Sequence, residues 1–382
     1  MLHSKSTSPT SILSSITNMA SKHGLLFRVL LIAALMQFRT FVVIGEPQVP
    51  CYFLFGDSLV DSGNNNRFVK AEKANYPPYG IDFPQGVTGR FTNGLTTPDI
   101  IGQLLGFRDF TPPYATVTNE EIVRGVNYAS AGAGIRNETG MNVGERIIFD
   151  QQLLNHEAIV SRISALQNNK TFTNEYIQKC IYLVNIGSDD YVNNYLMPNN
   201  YPTSNIFTPD QYAAVLIQRY SQQLTTLYNL GARKVVLFGL GPIGCTPAAI
   251  AKYGTNGKPC VESLNNLVKL FNDRLKPLVD DLNNGLSDAN FTFINFSGIA
   301  APLNAVPNIA CCRIAGPEGL CIAGPEGLCI PNSNPCLVRA LTAWYDGFHP
   351  SESSNIILAK RSYNALLPTD AYPYDISHLA RL

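Results

Sequence analysis

The sequence predicts an α/β fold of three layers, with a central parallel sheet of flavodoxin-like type between two layers of helices. Short apolar stretches alternate with longer helical ones along the chain, and this alternation is typical of a doubly wound parallel sheet. No linker divides the 382 residues. We therefore expect one domain over 50–382, preceded by a leader over 1–49.

The strands are predicted from short runs of apolar and aromatic residues that end at glycine or at polar turn residues. These runs cover 52–55, 123–129, 180–186, 234–240 and 291–296. The intervening helices are predicted over 98–105, 150–167 and 261–282. A long polar loop over 61–97 is expected to form a wall of a substrate cleft, because loops of that length are commonly functional.

One further helix has the clearest boundaries in the chain. Thr208 is predicted as its N-cap, Pro209 occupies the first turn, and Gln211 completes a capping box. Gly231 follows the end of the helix. Its apolar residues recur with a helical period, so one face is expected to pack on the sheet.

The first 49 residues have the features of a targeting segment. The apolar run 25–36, interrupted only by Arg28, is too short to span a bilayer and suits the core of a signal peptide. We expect secretion and no stable membrane span in the mature chain. A signal anchor is the competing interpretation, which ranks lower because Pro47 and Pro50 follow so closely.

The charge balance excludes one class of partner. The chain has 28 basic and 28 acidic residues, so it offers no basic field for nucleic acid. A neutral small molecule or a surface-bound substrate is expected instead.

Nine cysteines follow the leader, at positions 51, 180, 245, 260, 311, 312, 321, 329 and 336. In a secreted chain they predict disulfides, namely a local Cys245–Cys260 bond and further pairs among the last five, with one cysteine left over. The last five lack the spacing and the nearby histidines of a zinc site. The octapeptide that ends at Cys321 is repeated directly up to Cys329, and we interpret it as a small duplicated loop that supplies the odd cysteine.

Four sequons begin at Asn137, Asn169, Asn290 and Asn295 and predict N-glycosylation where they are exposed. The first two fall in polar loops. The last two lie on a predicted strand, so Asn295 is expected to be poorly occupied.

Ser58 is the candidate nucleophile. It lies just past the carboxyl end of the first predicted strand, the edge at which open α/β sheets bind ligands. A serine in this position needs a base to activate it. Without one, Gly-Asp-Ser is ordinary turn chemistry.

His349 is the candidate base. Of the five histidines, the other four lie in the leader, within a predicted helix or near the C-terminus. Asp346, three residues earlier, is placed to accept the Nδ1 proton and so leave Nε2 for the serine proton. The alternative is a turn whose aspartate caps a helix that begins near Ser351.

Four short motifs follow one another in order along the mature chain. They are Gly56-Asp-Ser-Leu59, Gly125-Val-Asn-Tyr-Ala-Ser-Ala-Gly132, Gly187-Ser-Asp-Asp190 and Asp346-Gly-Phe-His349. In this order and spacing they resemble the plant GDSL-motif esterase/lipases, a branch of the SGNH hydrolases. Each motif is weak alone, but four in order are specific, and supporting matches cover almost the whole mature chain.

The resemblance implies an SGNH hydrolase fold and a secreted serine esterase or lipase of the apoplast or cell wall, acting through an acyl-enzyme without metal or cofactor. It assigns Ser58 as nucleophile, His349 as general base and Asp346 as its orienting partner. It also implies an oxyanion hole made by the backbone N–H groups of Ser58 and Gly132 and by a side-chain amide in the third motif. The substrate would be a small-molecule, lipid or cell-wall ester.

The third motif departs from the family pattern, because Asp189 stands where the family has asparagine. A carboxylate has no N–H to donate and repels an oxyanion. A protonated Asp189 has a donor, and burial together with the Asp190 charge would raise its pKa. We therefore expect an enzyme that works best in mild acid; the alternative is a binding or defence module that keeps the fold but has lost its oxyanion hole.

Three other motifs are rejected. The run Gly239-Leu-Gly-Pro-Ile-Gly244 matches a dinucleotide-binding fingerprint, but its prolines prevent the helix that must follow. His156-Glu157 begins a metalloprotease-like motif without its second histidine. No Gly-x-Ser-x-Gly elbow of the α/β-hydrolases occurs.

Overall fold

Five strands form one sheet in the order β1-β2-β3-β4-β5. The computed structural model describes residues 45–302, 308–314 and 327–382. The strands are Tyr52–Gly56 (β1), Ile181–Asn185 (β2), Lys234–Phe238 (β3), Asn290–Ile294 (β4) and Ala371–Tyr372 (β5). Strands β1 to β4 are parallel to one another, as predicted. Strand β5 pairs with β4 in the antiparallel direction at the edge of the sheet, which was not predicted.

Helices connect the strands. In chain order they are Thr97–Leu104 (α1), Phe149–Gln167 (α2), Lys170–Gln178 (α3), Ser188–Asp190 (α4), Thr203–Ile206 (α5), Pro209–Asn229 (α6), Pro247–Tyr253 (α7), Glu262–Asn272 (α8), Leu275–Gly285 (α9), Phe296–Ala300 (α10), Glu352–Tyr363 (α11) and Ile376–Arg381 (α12). A π-helical turn, Tyr191–Tyr195, continues from α4. Short 3-10 turns lie at Asn64–Arg67, Met141–Val143, Ile243–Cys245 and Arg339–Leu341.

The side chains of the strands alternate between two apolar layers, as the period of two requires. On one face of the sheet, Phe53 and Phe55 of β1 pack with α2, α6, α8 and α9. On the other face, Tyr52 and Leu54 pack with α1, α10, α11 and α12. The predicted three-layer α/β fold is thereby confirmed.

The predicted strand over 123–129 is an extended segment rather than a regular strand. It runs parallel to β1, and three backbone hydrogen bonds join it to that strand, among them the bond from the N–H of Tyr128 to the carbonyl of Leu54 at 2.8 Å. Regular strand pairing is limited to one bridge, between Leu54 and Asn127. Gly125 has a φ of +130°, and a β-carbon there would lie 2.0 Å from the carbonyl oxygen of Tyr52. The close approach requires a glycine in a conformation outside the β region.

The predicted helix over 261–282 is two helices, α8 and α9. Proline lacks an N–H and its ring clashes with the carbonyl four residues earlier. Pro277 would meet the carbonyl of Asp273 in this way if the helix were continuous. The chain instead breaks at Asp273 and Arg274, and Pro277 lies in the first turn of α9, where no intrahelical N–H is needed.

The folded unit extends over 47–382 and so begins slightly earlier than the predicted domain. The N–H of Gln48 donates to the carbonyl of Leu105 at 2.9 Å, and Val49 is buried. The predicted signal peptide lies outside the described residues. Among the residues that are described, no helix is long and apolar enough to cross a membrane.

Among the described residues, four disulfides join eight cysteines. The predicted Cys245–Cys260 bond is confirmed, and two bonds link four of the last five cysteines. These two are Cys311–Cys336 and Cys312–Cys329. The fourth, Cys51–Cys180, was not predicted and joins the residues that precede β1 and β2. Cys321 and most of the duplicated octapeptide lie outside the described residues.

The four sequons differ in exposure. Asn137 and Asn169 are exposed, whereas Asn290 and Asn295 are half-buried. The amide nitrogen of Asn295 donates to the carbonyl of Thr369 at 3.0 Å. That nitrogen would carry the glycan, so glycosylation at Asn295 would require this contact to break.

Candidate active site

The sheet topology brings the first and third motifs together. Because β1 and β2 are adjacent and parallel, their carboxyl ends lie at the same edge of the sheet. Ser58 follows β1 there, and Asp189 follows β2 within α4. Both side chains line one cleft.

A tight turn presents Ser58 to this cleft. Gly56, the last residue of β1, has a φ of +156°, and a β-carbon on it would lie 2.3 Å from the carbonyl oxygen of Asn185. After Gly56 the N–H of Leu59 donates to Oδ1 of Asp57 at 3.0 Å, and the N–H of Asp61 to the carbonyl of Asp57 at 2.9 Å. The aspartate side chain thus closes the turn that carries the serine.

Ser58, His349 and Asp346 form one hydrogen-bonded chain. The Oγ of Ser58 lies 2.8 Å from Nε2 of His349. The Nδ1 of the same ring lies 2.8 Å from Oδ2 and 2.9 Å from Oδ1 of Asp346. These are the distances expected between a nucleophile, a general base and the group that orients the base.

Asp346 is fully buried and accepts hydrogen bonds at both oxygens. Its Oδ1 accepts the backbone N–H groups of Phe348 and His349, each at 2.8 Å. Its Oδ2 accepts the hydroxyl of Tyr79 at 2.6 Å. The ring of Phe91 packs 4.9 Å from the imidazole of His349. The candidate base, His349, is therefore held both by its own turn and by the loop over 61–97.

The cleft is apolar away from these polar groups. It encloses about 1030 Å³ of empty space, part of which is open solvent. Its apolar side chains include Val192, Ile243, Phe296, Leu328, Trp344 and Leu358. They come from distant parts of the chain, so no single apolar segment of the sequence marks this surface.

The carboxyl group of Asp189 faces the cleft and has a raised pKa. It is 8% exposed, and burial raises its pKa to about 6, against the opposing effects of the Asn193 amide, His349 and Arg146. Oδ1 accepts Nδ2 of Asn193 at 2.6 Å, which leaves Oδ2 to carry a proton. Burial is the cause that raises the pKa, whereas the sequence also suggested a contribution from the charge of Asp190.

Asp190 instead holds the neighbouring loop. It is fully buried and accepts hydrogen bonds from the N–H groups of Ile135 and Arg136 and from the hydroxyl of Thr139, at 2.7–3.0 Å. Burial raises its pKa to about 7, opposed by these donors. Its carboxyl group is thus hydrogen-bonded to the loop over 135–139, which follows the second motif.

Two further carboxyl groups line the cleft. Burial raises the pKa of Glu72 to about 8, with further contributions from the charges of Asp189 and Asp346. Asp57 is 1% exposed, and burial followed by the charge of Asp189 raises its pKa well above the usual range. The walls of the cleft therefore favour neutral carboxyl groups next to the nucleophile.

The two backbone donors of the expected oxyanion hole differ in position. Within the described part of the chain, the N–H groups of Ser58 and Gly132 have no acceptor. Ser58 lines the cleft and Gly132 does not. A β-carbon on Gly132 would lie 4.0 Å from Oε2 of Glu72, which lines the cleft, so Gly132 lies immediately behind its wall.

Sequence reasoning missed Tyr79, Glu72 and Asn193. The first two belong to the loop over 61–97 that was expected to form a wall of the cleft, but no motif distinguishes them from other polar residues there. Asn193 lies four residues after Asp189, the spacing of one helical turn. That spacing is a signal that could have identified it.

Known proteins resemble this chain over most of its length. The family model of the GDSL-like lipase/acylhydrolases matches residues 52–362. The Arabidopsis thaliana GDSL esterase/lipase At1g29660 is 49% identical over 352 residues, which are 90% of this chain and 94% of that protein. The Arabidopsis thaliana GDSL esterase/lipase At1g29670 is 48% identical over 345 residues, 88% of this chain and 93% of that protein.

Proposed function

The chain belongs to the GDSL-like lipase/acylhydrolase family and is a carboxylic ester hydrolase, and we propose that it is a secreted enzyme in which Ser58 forms an acyl-enzyme. The single observation that carries this proposal is the 2.8 Å contact between the Oγ of Ser58 and Nε2 of His349. A serine becomes a nucleophile when such a base removes its proton.

The proposed reaction follows the serine hydrolase sequence. Ser58 Oγ attacks the carbonyl carbon of the ester while His349 Nε2 takes its proton, and Asp346 stabilises the imidazolium that forms. The tetrahedral intermediate collapses, and His349 gives the proton to the leaving alcohol. Water, activated by the same histidine, then hydrolyses the acyl-enzyme and releases the acid.

The oxyanion of the tetrahedral intermediate would be stabilised by the backbone N–H groups of Ser58 and Gly132 and by a neutral Asp189. With a pKa of about 6, Asp189 carries a proton in mild acid and donates it in a hydrogen bond. Above that pH it becomes a carboxylate, which repels the oxyanion. We therefore propose that the enzyme works best in mild acid.

The apolar cleft supports an ester with an apolar acyl group as substrate. Apolar side chains dominate its wall beside Ser58, and burying an alkyl chain there contributes roughly 0.8 kcal/mol per methylene group. A lipid or a cutin-like ester fits this wall better than an acetylated polysaccharide.

Secretion is supported by the apolar run 25–36 and by the disulfides. Four of them occur among the described residues, and such bonds persist in oxidising compartments. The apoplast and the cell wall are such compartments.

Hydrolysis of a short-chain p-nitrophenyl ester by the purified mature protein, from about pH 5 to pH 8, tests the proposal. We expect activity that is greatest in mild acid and that falls by at least about 10³-fold in Ser58→Ala. A fluorophosphonate should label the wild type and leave Ser58→Ala unlabelled, because only an activated serine reacts.

A folded wild type that neither hydrolyses the ester nor accepts the label would contradict the proposal and favour the binding or defence module. Activity that persists in Ser58→Ala would show that another residue is the nucleophile. Equal activity at acid and neutral pH would remove the role given to Asp189.

A further inference from the structure

We propose that Tyr79 is a positioning residue for catalysis, whose hydroxyl fixes the carboxylate of Asp346 in the orientation that holds His349. This inference rests on the proposed function, because it concerns the same hydrogen-bonded chain. Tyr79 would not touch the substrate, since it is not among the described residues that line the cleft.

The two oxygens of Asp346 are held in different ways. Oδ1 accepts only N–H groups from its own turn, those of Phe348 and His349 in addition to the imidazole. Oδ2 faces the imidazole at 2.8 Å and accepts the hydroxyl of Tyr79 at 2.6 Å. Tyr79 is 267 residues away in sequence, so it is a donor from outside the turn that fixes the rotation of the carboxylate.

The hydrogen bond can run in one direction only. The N–H of Cys329 donates to the hydroxyl oxygen of Tyr79 at 3.1 Å, and a phenol has a single proton to give. Burial, followed by the charge of Asp346, raises the pKa of Tyr79 well above its usual value. Tyr79 therefore keeps its proton throughout the working pH range and donates it to the carboxylate, as a charge-assisted bond.

The ring of Tyr79 is itself fixed on several sides. It is fully buried, and the rings of Tyr76, Tyr345 and Phe91 pack edge-to-face at 5.4, 5.8 and 5.9 Å from it. The disulfide Cys312–Cys329 anchors the backbone that donates to its hydroxyl. Tyr76, Phe91 and Cys329 lie outside the turn that carries Asp346, so the position of the Tyr79 hydroxyl is fixed in part by other segments of the chain.

This arrangement acts on the chemical step rather than on substrate binding. The Asp346 carboxylate matters most when His349 becomes an imidazolium, because its negative charge then stabilises the new positive one. Without the Tyr79 donor, Oδ2 of Asp346 loses its partner from outside the turn, so the orientation of the carboxylate is less well fixed and its charge is less dispersed. The first effect lowers kcat, and the second keeps the free imidazole protonated to a higher pH.

The experiment compares Tyr79→Phe with Tyr345→Phe. The control also removes one buried hydroxyl from the same aromatic cluster, but that hydroxyl donates to the backbone carbonyl of Pro78 at 2.5 Å. Kinetics with p-nitrophenyl acetate are measured from about pH 5 to pH 8. We expect Tyr79→Phe to lower kcat on the order of 10-fold with KM nearly unchanged, and to move the acidic limb of kcat/KM to higher pH, whereas Tyr345→Phe leaves the limb where it is.

A double-mutant cycle with Asp346→Asn gives a second, independent readout. If Tyr79 acts through Asp346, Tyr79→Phe has little further effect once the carboxylate is gone. The inference would be overturned if Tyr79→Phe lowered kcat equally in the wild type and in Asp346→Asn. It would also be overturned if Tyr79→Phe and Tyr345→Phe changed kcat equally and neither moved the pH profile. Either result would leave the proposed function standing, because that fails only when wild-type activity does not depend on Ser58.

Discussion

Asp189 is the cleft residue whose protonation decides whether it can donate a hydrogen bond. With a pKa of about 6, its neutral form predominates below that pH and its carboxylate above it. In the proposed mechanism, the Asp189 donor for the oxyanion is therefore lost as the pH rises through about 6. An asparagine at this position would donate at every pH.

We predict that Asp189→Asn raises kcat/KM at pH 8 by roughly 100-fold, because only about 1% of Asp189 is neutral two units above its pKa. At pH 5 the variant and the wild type should differ little. The ratio of the two enzymes across the pH range is the measurement.

Glu72→Gln is the matched control for that prediction. It removes another carboxyl group of the cleft, one whose pKa is raised to about 8, and leaves Asp189 in place. If Glu72→Gln flattens the pH profile and Asp189→Asn does not, the titrating group is Glu72 and the role given to Asp189 is wrong.

The N-terminus of α6 lies where the sequence predicted it. The hydroxyl of Thr208 accepts the N–H of Gln211 at 3.4 Å, and the side-chain oxygen of Gln211 accepts the N–H of Thr208 at 2.9 Å. The capping box is thus formed, and Thr208 is exposed and outside the cleft.

We predict that Thr208→Ala lowers the free energy of unfolding by about 1 kcal/mol, because it leaves a helix N–H without its acceptor. Urea unfolding is the measurement, and kcat should not change. Thr208→Ser keeps the hydroxyl and should lose little. A similar loss in both variants would mean that the methyl group, and not the cap, stabilises this end of α6.

Local patterns predicted elements well where the physical cause is local. The apolar runs predicted β1 to β4, and the Asp346–His349 spacing predicted a turn that brings the two side chains together. Pro277 also indicates the break between α8 and α9. One continuous helix was predicted because the helical period of apolar residues continues on both sides of the break. The irregular segment over 123–129 depends on how closely Gly125 approaches Tyr52, which no local pattern records.

Contacts between distant segments could not be predicted in this way. Tyr79 donates to a carboxylate 267 residues later, and nothing near Tyr79 in the sequence indicates that partner. The apolar wall of the cleft is likewise gathered from separate loops and helices. Only the folded sheet brings these segments to one edge, so their roles became visible with the structure.

The candidate site brings together residues from near the two ends of the folded chain. Ser58 and His349 are 291 residues apart in sequence, and the sheet holds the distance between them. The disulfide Cys51–Cys180 lies before β1 and β2, at the end of the sheet opposite to Ser58. It closes a loop with a sequence separation of 129 residues, against 15 for Cys245–Cys260.

We predict that the double variant Cys51→Ala/Cys180→Ala loses about 2–4 kcal/mol of unfolding free energy, because the unfolded chain regains the entropy that the long loop had removed. Its kcat should stay close to that of the wild type, since the edge of the sheet that carries Ser58 is untouched. The matched variant Cys245→Ala/Cys260→Ala opens a short loop beside Ile243, which lines the cleft, and should lower kcat. Urea unfolding and ester hydrolysis, measured on the same samples, separate the effect on stability from the effect on kcat. An unchanged unfolding midpoint in Cys51→Ala/Cys180→Ala would mean that the packing of β1 against β2 already constrains the chain without the disulfide.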